Sequence, residues 1–312
     1  MEILLDIIVP VFGIVALGWG SARVGWFPDW ATRGLSHFVF NFAIPAMLFR
    51  TLASQELPDP IEWGHLLSYY GGAYASWLFG LLGGLYIFRR DFATAAVGGM
   101  GGAFSNTVLL GIPLVLTTYG EAATLPLFLV IAFHSTLLVT TATILCEAGR
   151  GKGRGMRELP VNVARGLVTN PIVMGLLAGI IWNLAGWPLP KALDQLTETL
   201  GRAALPCAVF SMGASLAAYR IAGALVEAGF GVLLKLFVHP ALVFVLATYV
   251  FRLDPLWRDV AVILAALPVG VNVYLFGQRY EAGAGTAATA MLLSTPVSVL
   301  SLAALLAWLG AR

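Results

Sequence analysis

Apolar residues gather into long runs along this chain, and charged residues are confined to the short stretches between them. Read from one charged cluster to the next, the runs cover about 2–24, 34–53, 63–88, 92–117, 122–146, 166–186, 192–219, 226–251, 257–278 and 284–309. A membrane-crossing helix needs about 20 mostly apolar residues, so the pattern predicts ten spans. The first, second and seventh have the narrowest uncharged windows, bounded by Asp6 and Arg23, Arg33 and Arg50, and Arg202 and Tyr219. Met1 to Val24 lacks the basic start and small-residue cleavage site of a signal peptide, and is read as a retained first helix.

Composition agrees with the pattern. Of 312 residues, 59% are hydrophobic and 11% charged, against roughly 25% charged in soluble chains, and the mean hydropathy is +0.86. These values exclude a water-soluble domain and a disordered chain. The net charge of +2, carried by dispersed Lys and Arg, implies no nucleic-acid partner. Cys146 and Cys207 lie far apart in apolar runs, which gives neither a disulfide framework nor a CxxC motif. No cofactor or metal is implied.

Basic residues set the predicted orientation, because cytoplasmic loops carry the Lys/Arg excess. One set of alternate loops holds Arg23, Arg33, Arg89, Arg90, Arg150, Lys152, Arg154, Arg157, Arg165, Arg220 and Arg279. The other set holds Arg50, Lys191, Arg202, Arg252, Arg258 and Arg312, and its 54–62 loop is acidic through Glu56, Asp59 and Glu62. Both termini are therefore expected outside a cell (inner) membrane. The longest loop, near 149–158, separates an amino-terminal repeat, 1–148, from a carboxyl-terminal one, 159–312. Five spans in each half would make the second half enter from the opposite side, the arithmetic of an inverted repeat. An unrelated even-numbered bundle is the alternative.

Helix-breaking residues favour the repeat. Pro45, close to Asn41, and Pro206 occupy corresponding places in the second and seventh runs. The fourth run carries Gly98-Gly99-Met100-Gly101-Gly102, then Ser105-Asn106-Thr107 and Gly111-Ile112-Pro113, and its counterpart, the ninth, carries Pro268-Val269-Gly270-Val271-Asn272. Matched Gly/Pro-interrupted segments point to a midplane site between repeats. In hydrocarbon an unpaired backbone group costs several kcal/mol, so a broken helix survives only where protein, water or ligand satisfies it. Half-helix amino termini suit a carboxylate. Asn106 and Asn272 are candidate direct ligands, or else interhelical hydrogen bonds worth about 1 kcal/mol, and close packing accounts for most of the glycines.

Ser105-Asn106-Thr107-Val108-Leu109-Leu110-Gly111-Ile112-Pro113-Leu114, followed by Tyr119-Gly120, resembles the fourth-helix signature of the auxin efflux carrier family, which includes the plant PIN proteins. Ala208 to Leu216, Lys235 to Pro240, Ala265 to Gly270 and Gly277 to Tyr280 are similar to its seventh, eighth and ninth helices. The resemblance implies an all-α, ten-helix inverted-repeat fold like that of bile acid/sodium symporters, with broken, crossing fourth and ninth helices. It implies a scaffold (1–58 and 159–220), a mobile transport unit (59–148 and 221–312), homodimerisation and elevator-type carriage of an organic anion. Ser105, Asn106 and Thr107 fall on one side of the implied site and Val271, Asn272 and Val273 on the other. Gly111, Pro113, Pro268 and Gly270 mark the helix break, and Asn41, Pro45 and Pro206 the scaffold side. The family's crossing prolines appear here as Ser105 and Val273, and the long loop of the plant proteins is short. A short-loop member of this kind looks more like the bacterial branch, whose expected substrates are mono- or dicarboxylates, with indole-3-acetate also in view, and Asn272 adds a polar group that the plant proteins lack.

Lys235 lies inside the eighth run, where a charge is costly. Two readings stand: a cation that attracts the anion, or a structural Lys bonded to carbonyls of a broken neighbour. No Asp or Glu lies near the middle of a run, which weighs against a carboxylate proton relay and favours facilitated or potential-driven movement, with a sodium-coupled symporter as the alternative. His134 and His239 read as hydrogen-bonded packing residues, and Trp26, Trp30, Trp63, Trp187, Trp257 and Trp308 as anchors at the lipid interface. An intramembrane hydrolase using Ser211 or Ser215 lacks the GxSxG elbow, and an anion channel lacks a filter motif or charged pore lining.

Overall fold

The computed structural model describes residues 8–54, 62–149, 169–221 and 224–310. The predicted 149–158 loop, apart from Gly149, lies outside the described residues, with Arg165, Arg312, the start of the first and sixth runs and most of the acidic 54–62 loop. All regular elements among the described residues are helices: α1 (Val9–Arg23), α2 (Asp29–Ser54), α3 (Gly64–Leu82), α4 (Phe92–Ala103), α5 (Ile112–Tyr119), α6 (Thr124–Gly149), α7 (Pro171–Leu184), α8 (Lys191–Leu216), α9 (Leu225–Val250), α10 (Pro255–Ala266), α11 (Val271–Arg279) and α12 (Ala284–Leu309). Among the described residues, four stretches are long and apolar enough to cross a membrane: α2, α9, α12 and Thr107–Gly149, which contains α5 and α6. Each apolar run is helical over most of its described residues, the fourth and ninth as two pieces.

The chain divides into two compact units. The first comprises residues 1–61, 108–132 and 164–218, where α1 packs on α8, and α2 on α7 and α8. Backbones touch directly in that packing: a Cβ at Gly213 would overlap the Val15 carbonyl, and one at Gly18 the Phe210 carbonyl. Between apolar helices in lipid there is little hydrophobic drive, so close backbone approach through small residues supplies the dispersion contacts. Two of the charges that narrowed the uncharged windows, Arg50 and Arg202, are paired here. Arg50 lies 2.6 Å from Asp194 and 3.8 Å from Glu198, and Arg202 is 2.6 Å from Glu198. These side chains are a third or more exposed, apart from Arg50 at 30%, so each pair is worth about 0–1 kcal/mol. Helix packing therefore dominates.

Three prolines are accommodated by one device. Ile44-Pro45, Ile112-Pro113 and His239-Pro240 each directly follow a five-residue π turn, at Val39–Ala43, Thr107–Gly111 and Leu234–Val238. Proline lacks a donor and clashes with the carbonyl four residues back, and the wider turn relieves both effects, so the helix runs on. This corrects the expectation for Gly111 and Pro113, which lie in continuing helix while the interruption sits at Phe104–Asn106. Pro45 and Pro206 likewise leave α2 and α8 unbroken.

Gly213→Leu is expected to lower the melting temperature of the purified protein, because overpacking a tight contact costs about 1–3 kcal/mol or more. Gly13→Leu, with nothing within 4 Å of the added carbon, should leave it nearly unchanged in the same thermal scan.

Candidate functional site

Both interruptions belong to the second unit, residues 62–107, 133–163 and 219–312, while α5 is counted in the first. The backbone leaves helical geometry at Phe104 (ψ 104°), after α4, and at Leu267 (ψ 154°), after α10. Ser105 and Val269 then pair as an antiparallel bridge. The Asn106 N–H donates to the Pro268 carbonyl at 3.0 Å, and the Gly270 N–H to the Phe104 carbonyl at 2.9 Å. Gly270 is required by the approach: an added Cβ would lie 2.9 Å from the Phe104 ring and 3.1 Å from the Ser105 carbonyl.

Side chains from the flanking helices satisfy much of the backbone exposed by the breaks. Ser76 on α3 donates to the Gly102 carbonyl at 2.8 Å, and Lys235 on α9 donates to the Ala265 carbonyl. Each of those carbonyls is next to last in its half-helix, among the four that lack an intrahelical partner. His134 on α6 donates from Nε2 to the Ser105 carbonyl at 3.2 Å, and Ser294 on α12 accepts from the Val269 N–H at 3.1 Å. The helix before each break thus caps its half-helix, and the helix after it holds the connecting residues.

The sequence-derived site residues separate accordingly. Ser105, Thr107 and Val273 are buried, while Asn106, Val271 and Asn272 are half-buried. The bridge bonds bring Ser105 and Asn106 against Pro268 and Gly270, and Val271 opens α11 from Gly270. Asn41, Pro45, Pro206, Gly111 and Pro113 belong to the first unit. The Asn41 amide is used within its own helix, on the His37 carbonyl at 2.8 Å, and Pro206 is exposed. Lys235, fully buried, is also 3.3 Å from His239 Nδ1, so its contacts match the structural reading. Ser76, Ser294 and Tyr69 carried no sequence signal, because hydroxyls in apolar runs are common.

A cleft in this unit is lined by Thr94, Gly98, Gly101, Val273, Glu227 and Ala287, among others. Glu227 is buried and held by Arg90 at 2.8 Å. Asp91, outside the apolar run, accepts from the Thr94 N–H at 3.0 Å as the amino-terminal cap of α4. Hydrogen bonds from Thr94 hold its carboxyl below the usual carboxylate range. Trp257 departs from expectation: it is buried at 6% exposure rather than sitting as an exposed anchor, and His65 packs edge-on against it while donating to its carbonyl at 2.9 Å. The Ser211 and Ser215 hydroxyls, weighed as nucleophiles, donate within α8 to the Ala208 and Met212 carbonyls.

Comparison with known proteins covers nearly the whole chain. The family described as "Membrane transport protein" matches residues 3–306. A Rhizobium meliloti (strain 1021) protein named "Putative malonate transporter" is 29% identical over 306 residues, 98% of this chain and 96% of the relative. Auxin efflux carrier component 8 of Arabidopsis thaliana is 25% identical over 88% of each chain. The "Uncharacterized transporter YfdV" of Escherichia coli (strain K12) is 24% identical over 92% of this chain and 91% of the relative. With a match of this extent, and with transporters rather than enzymes as its relatives, the chain belongs to the auxin efflux carrier family of membrane transport proteins.

Proposed function

We propose that this chain is a secondary carrier for small carboxylates, with its site where Ser105, Asn106 and Thr107 meet Val271, Asn272 and Val273. The observation that carries the reading is the pair of backbone hydrogen bonds joining the two helix interruptions. Half-helices start directly after each break, with positive dipole ends, and the two amides there are half-buried. An amide both donates and accepts, which suits a carboxylate. The malonate named for one relative favours a dicarboxylate over a bulky aromatic acid.

The same reading makes the fold a ten-span inverted repeat. Its support is the correspondence of Ser76 with Lys235, and of His134 with Ser294, as backbone partners at equivalent points of the two breaks. Residues 59–148 and 221–312 would be the moving part of an elevator and residues 1–58 with 159–220 the scaffold, with two copies joined through scaffolds in a cell (inner) membrane, both termini outside. A channel is disfavoured because a bridge closed by backbone bonds offers no continuous opening.

Malonate or succinate at concentrations well above its dissociation constant should raise the melting temperature of the purified protein by mass action. Asn106→Ala and Asn272→Ala, still folded, should lose that rise; a rise of equal size in both variants would contradict the site. Lys235→Met is expected to cost about 1–3 kcal/mol by leaving a buried carbonyl unpaired and to keep the malonate response, whereas loss of the response in a folded variant would make Lys235 a ligand. Ser76→Ala should cost about 1 kcal/mol, read in the same assay.

A further inference from the structure

Three side chains connect the bridge to a buried basic cluster. Tyr69 on α3 lies with its hydroxyl 3.4 Å from Ser105 Oγ and 3.3 Å from His134 Nδ1, and the opposite ring nitrogen, Nε2, faces the Ser105 carbonyl at 3.2 Å. All three residues are at most 1% exposed. The Phe104 ring covers His134 at a centroid distance of 4.4 Å. From α9, Lys235 and His239 complete the surroundings: His239 packs on the Tyr69 ring at 5.6 Å, and Lys235 is bonded to His239 and to the Ala265 carbonyl. Tyr70, next to Tyr69, packs edge-on against its ring. No Asp or Glu is among these contacts.

The hydrogen-bond polarity of this chain of groups follows from the proton count. Because Nε2 faces a carbonyl it carries hydrogen in either state, so neutral His134 has a bare Nδ1 that accepts from Tyr69. In that state the Tyr69 hydroxyl is withdrawn from Ser105 Oγ, the acceptor to which it donates in this structure. When His134 gains a proton, Nδ1–H donates to the Tyr69 oxygen, the Tyr69 hydroxyl turns to Ser105 Oγ, and the Ser105 hydroxyl is released to donate elsewhere. Ser105 is itself one of the residues of the proposed carboxylate site.

Charge points the same way. A second positive charge beside Lys235, with no carboxylate in the cluster, is costly in a buried site. An anion held at Ser105 and Asn106 supplies the missing negative charge, and reciprocity requires that a proton favouring the anion is itself favoured by it. We propose that His134 is a positioning residue that takes up one proton as the anion binds, relayed to the site through Tyr69 and Ser105, so that the carrier moves a proton together with each organic anion. The proton comes from water on the side to which the site is open, and no other bond is made or broken. The proposal rests on the reading of the bridge as the anion site.

Its test uses the purified full chain and malonate, between pH 6.5 and 8.5, where malonate is almost wholly dianionic. In the wild type, the apparent dissociation constant from calorimetry should rise up to tenfold per pH unit, and mixing in weak buffer should take up about one proton per bound malonate. Tyr69→Phe keeps His134 but breaks the relay, and His134→Gln keeps a donor for the Ser105 carbonyl without a titrating group; both should bind malonate with a flat pH profile and no proton uptake. Wild-type binding that is independent of pH, or proton uptake that persists in both variants, would overturn the coupling and leave the anion site standing. Absence of malonate binding to the wild type at every pH would overturn the site and the coupling with it.

Discussion

Two backbone hydrogen bonds, between residues 104–106 and 268–270, are the constraint on which the second unit depends. Ending two helices inside an apolar chain strands amide and carbonyl groups, each costing several kcal/mol in hydrocarbon if left unpaired. The bridge pairs the groups of one break with those of the other. Neither interruption is therefore a local feature of its own segment, and residues far apart in sequence must be matched in register. The glycine at position 270 and the side chains of Ser76, Lys235, His134 and Ser294 all serve that register.

The four supporting side chains correspond in position but not in chemistry. One capping position carries a serine and its counterpart a lysine; one connecting position is held by a histidine and its counterpart by a serine. A neutral hydroxyl would satisfy either backbone group, so the ionisable groups add something the hydrogen bond does not require. They gather on one side of the bridge, with Tyr69 between them. In the proposed carrier, that asymmetry is what lets a chemically plain backbone crossing respond to charge.

Much of this was legible in the sequence, and the physical reasons are specific. Lipid-facing and buried helices are both apolar, so run lengths located the helices to within a few residues, and the Gly/Pro punctuation located the fourth and ninth as the interrupted pair. The break itself was displaced, because Pro113 looks like a helix breaker until the π turn at Thr107–Gly111 is seen to absorb it. Trp257 was placed at the lipid interface because its position near a run's end resembles that of Trp308, whereas His65, far away in sequence, covers it. Lys235 left two readings open that only the position of the Ala265 carbonyl could separate. Ser76, Ser294 and Tyr69 could not be singled out at all, since their importance comes from which distant carbonyl, amide or ring each one meets.

The central claim is that an organic anion sits at the bridge, between the two amides. The most direct measurement is an experimental density map of the full chain at high resolution in saturating malonate, compared with one collected without it. The account predicts added density within hydrogen-bond distance of Asn106 and Asn272, with the Ser105–Val269 pairing intact. Density for the anion elsewhere, or the two interruptions unpaired in both maps, would contradict it.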